Sequence, residues 1–296
     1  MNKIGIILVN YNGADDTMEC IRSIQKSTYN DYEIIVVDNC STDSSYKCLQ
    51  EYRKTHDFTL LQARFNNGFS AGNNVGIEYA LKNGAEYVLL LNNDTVIQED
   101  CIERLLEVYN NTQGCGAAIG KILYYSNQNI IWYAGGALSD KTARTEHFGY
   151  GQSDDENEKR IRKVTFGTGC CLLLSRKIIE HIGLLSEQFF LYEEDAEYSY
   201  RITNNGYDII YVPSARIYHK VSASTGQGSP MCQYYTVRNK YIFIQECLKG
   251  MNKYYAYTYC TVQFLVRCLK RKMNFKYLYK GLKAFWKKER GRTDNY

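Results

Sequence analysis

The chain has 296 residues, 45% hydrophobic and 23% charged, which excludes a disordered chain and fits one large domain or one domain with a smaller attachment. Its 11 cysteines are odd in number and include no Cys-x-x-Cys, which excludes a zinc ribbon or thioredoxin-like motif and makes a reducing compartment, the cytoplasm, the expectation. The net charge of +4 is divided: residues 1–231 hold 21 Lys and Arg against 29 Asp and Glu, residues 232–296 hold 15 against 3, so an anionic partner is expected for the C-terminal part.

Lys3–Gly13, KIGIILVNYNG, is an apolar run ending in polar turn residues and predicts a buried strand followed by a loop. Its apolar part, Ile4–Val9, is too short for a signal peptide and lacks a cleavage site. Asp15–Lys26 has Met18, Ile21 and Ile24 near helical spacing. Tyr32–Ser45, YEIIVVDNCSTDSS, repeats the pattern: an apolar strand, then Asp38, Asn39 and a Ser/Thr/Asp cluster suited to a helix N-terminus. Tyr46–Lys54 continues as helix. Phe58–Ala63 predicts a short strand. Asn66–Gly76, NNGFSAGNNVG, predicts a loop entering a helix over Ile77–Asn83. Glu86–Leu91 is again a strand apolar enough to be buried on both faces, and it runs into Asn92, Asn93 and Asp94.

Strands alternating with helices predict a mostly parallel α/β sheet. In such a sheet ligands bind beyond the carboxyl ends of the strands. Asn10–Asn12, Asp38–Asn39, Asn66–Asn74 and Asn92–Asp94 are therefore expected to converge. Gly114–Gly120, GCGAAIG, has one residue too many for a dinucleotide fingerprint and lacks the acidic residue that should follow. Ser153–Lys163 is highly charged and predicts a solvated turn or mobile flap. Val164–Leu174 predicts one more buried strand. Arg176–Ile182 predicts a helix capped by Gly183, and Tyr192–Thr203 a helix with its acids at the favourable end of the dipole. Tyr207–Val212 predicts a strand stopped by Pro213.

The segments ILVNYNG, VVDNCSTDSS, NNGFSAGNN, LLLNNDT, GTGCCLLLSR, FFLYEEDAEYSYR and YYTVRNKYIF resemble, in this order, family-two glycosyltransferases of the GT-A fold, nearest to bacterial rhamnosyltransferase-like members. The resemblance runs from about Ile4 to Phe243. It implies a Rossmann-like, mostly parallel sheet flanked by helices over residues 1–231, with 232–296 as a basic, aromatic-rich helical extension. The implied activity is inverting, metal-dependent transfer of a sugar from a nucleotide-sugar donor, dTDP-rhamnose or a UDP-hexose, to a saccharide acceptor in surface polysaccharide synthesis. The acceptor is expected to be polyprenyl-linked and met at the inner face of the plasma membrane. The family's Asp-x-Asp element stands here as Asn92-Asn93-Asp94. Asp94, with His219 past the strand ended by Pro213, is the implied ligand set for Mg²⁺ or Mn²⁺, a hard cation that needs few protein ligands when phosphate oxygens complete its shell.

Asp195 is the implied catalytic base, with Glu194 its nearest competitor; clustered acids raise one another's pKa toward neutrality. For the nucleotide the resemblance implies Asn10, Tyr11, Asp38 and Asn39, the loop holding Gly68, Gly72 and Asn73, and Asn92 with Asn93. Arg238, beside Asn239, suits either a diphosphate or an interhelical ion pair. Over 254–292 aromatics mix with Lys and Arg, and Leu278, Leu282, Phe285 and Trp286 fall near helical spacing. This tail either lies in a membrane interface or packs on the catalytic domain. No nucleic-acid module supports a nucleic-acid partner. The degraded metal motif leaves open an inactive carbohydrate-binding scaffold. A sugar-nucleotide nucleotidyltransferase would need a basic, glycine-rich loop after the first strand, which VNYNGADD does not supply.

Overall fold

Four apolar runs form the parallel half of the sheet. β1 (Ile4–Asn10), β2 (Tyr32–Asp38), β3 (Thr59–Gln62) and β4 (Tyr87–Leu91) lie in the order β4-β1-β2-β3, all parallel. Ile6, Ile7, Leu8, Val36, Val37, Leu89 and Leu90 are buried along them, as strands covered by helices on both faces require. The computed structural model describes residues 3–155, 158–221 and 228–293; residues 156–157 of the charged segment and 222–225 of the stretch after His219 lie outside them. The connecting helices are α1 (Ala14–Ile24), α2 (Ser45–Tyr52) and α3 (Gly68–Lys82).

The other half of the sheet differs from expectation in several places. β5 (Thr95–Ile97) and α4 (Cys101–Asn111) lead into β6 (Cys115–Tyr124), a buried strand that takes in most of Gly114–Gly120 and that the sequence did not predict. β7 (Asn127–Tyr133) pairs with β6, and β8 (Gly136–Leu138) with β9 (Thr145–His147). The expected single strand over Val164–Leu174 is two: β10 (Arg162–Val164) on the sheet edge and β11 (Cys171–Ser175) in its middle. β11 runs antiparallel between β6 and β4. Helices α5 (Arg176–Ile182) and α6 (Glu194–Asn204) follow.

Pro213 does not end its strand. β12 (Asp208–His219) runs through it, parallel to β6, with a register shift between Val212 and Arg216. A proline has no N–H for the ladder, so the strand bulges there and resumes. Its far end pairs antiparallel with β5, His219 opposite Thr95.

The Asn/Gly-rich segment is helix from Gly68 onward, not a loop. Gly72 serves packing: a Cβ there would stand 2.8 Å from Val9 Cγ1, so the missing side chain lets α3 lie close on β1.

Ser153–Lys163 is not a solvated flap at its start. Asp154 is buried and accepts from Lys121 Nζ at 2.7 Å and from Arg216. Lys121 itself has no solvent exposure. Two cations on neighbouring strands thus share one buried carboxylate.

The C-terminal helices are α7 (Pro230–Cys247), α8 (Gly250–Leu269) and α9 (Phe275–Trp286). Ile242, Phe243 and Ile244 of α7, Phe264 of α8 and Phe285 of α9 join the same apolar core as the sheet. Among the described residues no helix is long and apolar enough to cross a membrane.

Asp154→Ala is expected to destabilise the fold by about 3–5 kcal/mol in urea denaturation, because it takes the close carboxylate from the buried Lys121 ammonium and from Arg216. Adding Lys121→Met should recover part of that loss; an unchanged midpoint for the single variant would show that the network carries no net stability.

Candidate active site

The polar ends of β1 to β4 meet, and mostly through one another's side chains. Asn10 donates to Asp38 Oδ1 at 2.8 Å and to Ser41 Oγ at 3.1 Å. Asp38 also accepts from the Ser41 hydroxyl at 2.6 Å and its N–H at 3.0 Å. Asn39 donates to Asn66 Oδ1 and to the Gly68 carbonyl, both at 3.0 Å. Asn93 donates to Thr17 Oγ1 at 2.9 Å. Asn10, Asp38, Asn39 and Asn73 are buried, and Asn73, inside α3, donates to the Phe69 carbonyl. These groups weld the strand ends together. Tyr11 is exposed, and Asn92 and Asn93 are half-buried.

Gly68 couples this edge to the acidic turn. Its φ is +92°, and a Cβ would fall 2.1 Å from the Phe190 carbonyl oxygen. Only glycine fits both demands.

β5 and β12 build the second corner. Their register sets His219 beside the Asn92–Asp94 turn: His219 Nε2 lies 3.1 Å from Asp94 Oδ1, and the Lys220 N–H donates to the Asp94 carbonyl at 2.9 Å. The indole of Trp132 stands edge-on to the His219 ring, centroids 4.8 Å apart. Adjacent ligands on an octahedral cation with bonds of about 2.1 Å lie about 3 Å apart. The carboxylate and imidazole therefore fit one divalent ion, and no group of three or more metal-ligating residues occurs among the described residues. Water and phosphate oxygens would have to complete its shell.

The loop Thr168–Cys170 joins this corner to the acidic one. The Asn92 N–H donates to the Cys170 carbonyl at 2.9 Å. One residue earlier, the Gly169 N–H points at Asp195 Oδ2, 3.4 Å away. Asp94 and Asp195 both act electrostatically on the buried Cys170 thiol, which burial, with their help, pushes well above its ordinary range.

The acidic turn is strained and braced. Tyr192 and Glu193 have φ of +70° and +75°, left-handed values that cost about 1–3 kcal/mol for each such residue. Asn239 of α7 donates to the carbonyls of Leu191 and Tyr192 at 2.8 and 3.1 Å. Lys240 pairs with Glu193 at 2.6 Å and donates to the Ala143 carbonyl at 2.6 Å. Arg238 is fully buried, its guanidinium over the rings of Tyr234 and Tyr235 at 5.6 and 4.7 Å and its Nε donating to Asn239. Through its Nε, Arg238 helps to orient Asn239. Lys240 and Trp132 carried no signal in the sequence, because each acts through a segment about 50 to 90 residues away in the chain.

Two carboxyls adjoin at the start of α6, Glu194 buried and Asp195 half-buried. Burial, then the neighbouring Asp195, raises Glu194 to about 8. Burial, then Glu193, raises Asp195 to about 6. Both carboxyls are thus shifted toward the range in which a carboxylate can exchange a proton near neutral pH, Glu194 further than Asp195. An open groove of about 1010 Å³ between α1 and β5, lined by Glu19, Lys26, Gln98 and Tyr218 among others, includes none of these site residues.

Glu194 also makes stability depend on pH. Its folded value lies above the ordinary 4.5, so its contribution is full below pH 4.5 and is lost as pH rises through 8. Glu194→Gln, neutral throughout, should lose less stability than the wild type between pH 5 and pH 8, the gap in Tm widening by several degrees. A constant gap would mean that Glu194 is ionised in the folded protein.

The glycosyl transferase family 2 profile matches residues 5–183. A hexosyltransferase of low-salt glycan biosynthesis, Agl10 of Haloferax volcanii, is 27% identical over 216 residues, 71% of this chain and 64% of that protein. The dTDP-rhamnosyl transferase RfbF of Shigella flexneri is 23% identical over 72% of this chain and 71% of its own length. A poly-β-1,6-N-acetyl-D-glucosamine synthase of Staphylococcus epidermidis is matched over 51% of its length at 23% identity; the chain thus spans between half and about seven-tenths of these relatives. Among solved structures, the mannosyltransferase PcManGT of Pyrobaculum calidifontis, in complex with GDP-Man and Mn²⁺, superposes with a TM-score of 0.60 at 14% identity, covering 96% of this chain and 86% of that one. Residues 1–349 of TarS from S. aureus superpose with a TM-score of 0.62 at 15% identity, over 97% of this chain and 81% of that one. With the profile spanning more than half of its length and the sheet superposing on GT-A enzymes, the chain belongs to glycosyl transferase family 2.

Proposed function

We propose that the protein transfers a sugar, with inversion, from a nucleotide-sugar to a hydroxyl of a saccharide acceptor in polysaccharide synthesis. The observation that carries this reading is the Thr168–Cys170 loop, whose backbone ties the Asn92–Asp94 turn to Asp195. A cation-and-diphosphate corner and a proton acceptor on one rigid connection are what a displacement at an anomeric carbon requires.

Asp195 takes the proton of the acceptor hydroxyl as the new C–O bond forms at the anomeric carbon. The bond from that carbon to the diphosphate oxygen breaks on the opposite face, and the nucleoside diphosphate leaves with the electron pair. Asp94 and His219 would hold Mg²⁺ or Mn²⁺, which supplies charge neutralisation to the departing diphosphate. Tyr11, Asn92 and Asn93 contact the nucleotide. Asn10, Asp38, Asn39, Gly68, Gly72 and Asn73 shape the wall behind it, Asp38 keeping acceptor capacity for a base or ribose donor. Asn239 and Lys240 hold Asp195 through the turn before it. The donor is dTDP-rhamnose or a UDP-hexose; the dTDP-rhamnosyl transferase among the relatives supports the first. The acceptor is a lipid-linked saccharide met at a membrane surface.

Asp195→Asn should lower kcat by at least about 10² while the affinity for nucleoside diphosphate, read by calorimetry, holds. Wild-type kcat/KM should fall as pH drops below about 6, where Asp195 protonates. A variant with full turnover and intact fold would remove Asp195 from the reaction. Donor binding without turnover on any saccharide acceptor would favour the scaffold reading.

A further inference from the structure

The tail over 254–292, read in the sequence as either membrane-facing or packed on the domain, packs one side of its helices inward and leaves another exposed. On α9, Leu278, Ala284 and Phe285 turn inward and are buried, while Phe275, Tyr279 and Trp286 are exposed. α8 carries a second stripe that the sequence reading did not single out. Its buried side is Ala256, Cys260, Phe264 and Cys268. On its outer side Met251, Tyr255, Val262, Leu265 and Leu269 are exposed. Their spacings of four, seven, three and four put them on one face of a helix. Met251 is 81%, Leu269 74% and Trp286 77% exposed. Single exposed apolar side chains need no explanation; an exposed apolar stripe on each of two helices in contact does.

The charge around the stripe identifies what covers it. From residue 247 to 288 the chain holds 11 Lys and Arg and no Asp or Glu. Lys270, Arg271 and Lys272 at the end of α8, and Lys276, Lys283 and Lys287 on and after α9, are all exposed. Two copies of this chain meeting through that face would bring like charge against like charge, which disfavours a dimer. Asp140 approaches the start of α8 through Asn252, but the helices themselves carry only cations, and an apolar stripe on so basic a segment matches the interface of an anionic bilayer, where aliphatic and aromatic side chains enter the acyl boundary and cations meet phosphate groups. We propose that the outer face of α8 and α9 docks the protein in plane on an anionic membrane surface.

This names the partner surface for the lipid-linked acceptor and rests on that reading for its purpose, although not for its physics. α8 and α9 pack on α7, which carries the Asn239 and Lys240 brace of the acidic turn. A docked enzyme therefore has its proton acceptor held by the same helix layer that meets the lipid.

The test is flotation of the full chain with vesicles of phosphatidylcholine alone and of phosphatidylcholine mixed with phosphatidylglycerol, without substrate. Binding to the mixed vesicles is expected, with little to the neutral ones. Leu265→Ser/Leu269→Ser/Trp286→Ser, all exposed positions, should weaken it at least about tenfold, and so should Lys270→Gln/Arg271→Gln/Lys272→Gln. No binding of the wild type to mixed vesicles would overturn the proposal. Binding that ignores the apolar variant would also overturn it, leaving only charge adsorption. A dimer in light scattering that the apolar variant dissolves, without vesicle binding, would reassign the face to a second copy. Because no turnover is measured, failure here leaves the transferase reading untouched, and loss of transfer to soluble acceptors in Asp195→Asn tests that reading separately.

Discussion

The site depends on a short stretch of backbone. The carbonyl of Cys170 receives the Asn92 N–H, and the N–H of Gly169 faces Asp195. Through these two peptide groups the end of a parallel strand and the start of a distant helix become one object. Backbone groups in a buried loop must find partners, so the loop cannot drift without breaking both connections. β11, set antiparallel between β6 and the parallel strands that begin with β4, is what delivers the loop there.

Around this connection the protein keeps charge out of water and compensates it locally. Glu193 is matched by Lys240, Asp154 by Lys121 and Arg216, and Glu197 by Arg201. Glu194 is not matched; its buried carboxyl is raised to about 8 and stays neutral near pH 7. That neutrality matters to its neighbour. A second charge beside Asp195 would push its proton affinity higher still, away from the range in which a base works. The strain at Tyr192 and Glu193 sits where a change of a few degrees would move Asp195, and α7 supplies the donors that hold it.

The parallel half of the fold was legible because its strands are buried on both faces and written as unbroken apolar runs. Their polar endings located the site for the same reason. The antiparallel half was harder. β6 contains Gly116 and Gly120 with alanines between them, small residues that give no apolar run to read as a strand. β12 contains Pro213, which a bulge accommodates. The charged segment at Asp154 looked solvated because its two cations lie more than 30 and 60 residues away. Gly68 and Gly72 were read as room for a ligand, and they make room for a carbonyl and for Val9. Asp94, His219, Glu194 and Asp195 were all named from resemblance, and the geometry brings each pair together. The resemblance ranks Asp195 ahead of Glu194 as the base; what the sequence did not show is the raised proton affinity that burial gives both.

The most direct measurement is calorimetric titration of dTDP and UDP into the protein with and without Mn²⁺, repeated for His219→Ala. One nucleoside diphosphate should bind, markedly more tightly with the metal in the wild type and without that dependence in the variant. Equal affinity with and without metal, in folded wild-type protein, would contradict a cation held by Asp94 and His219 against a diphosphate.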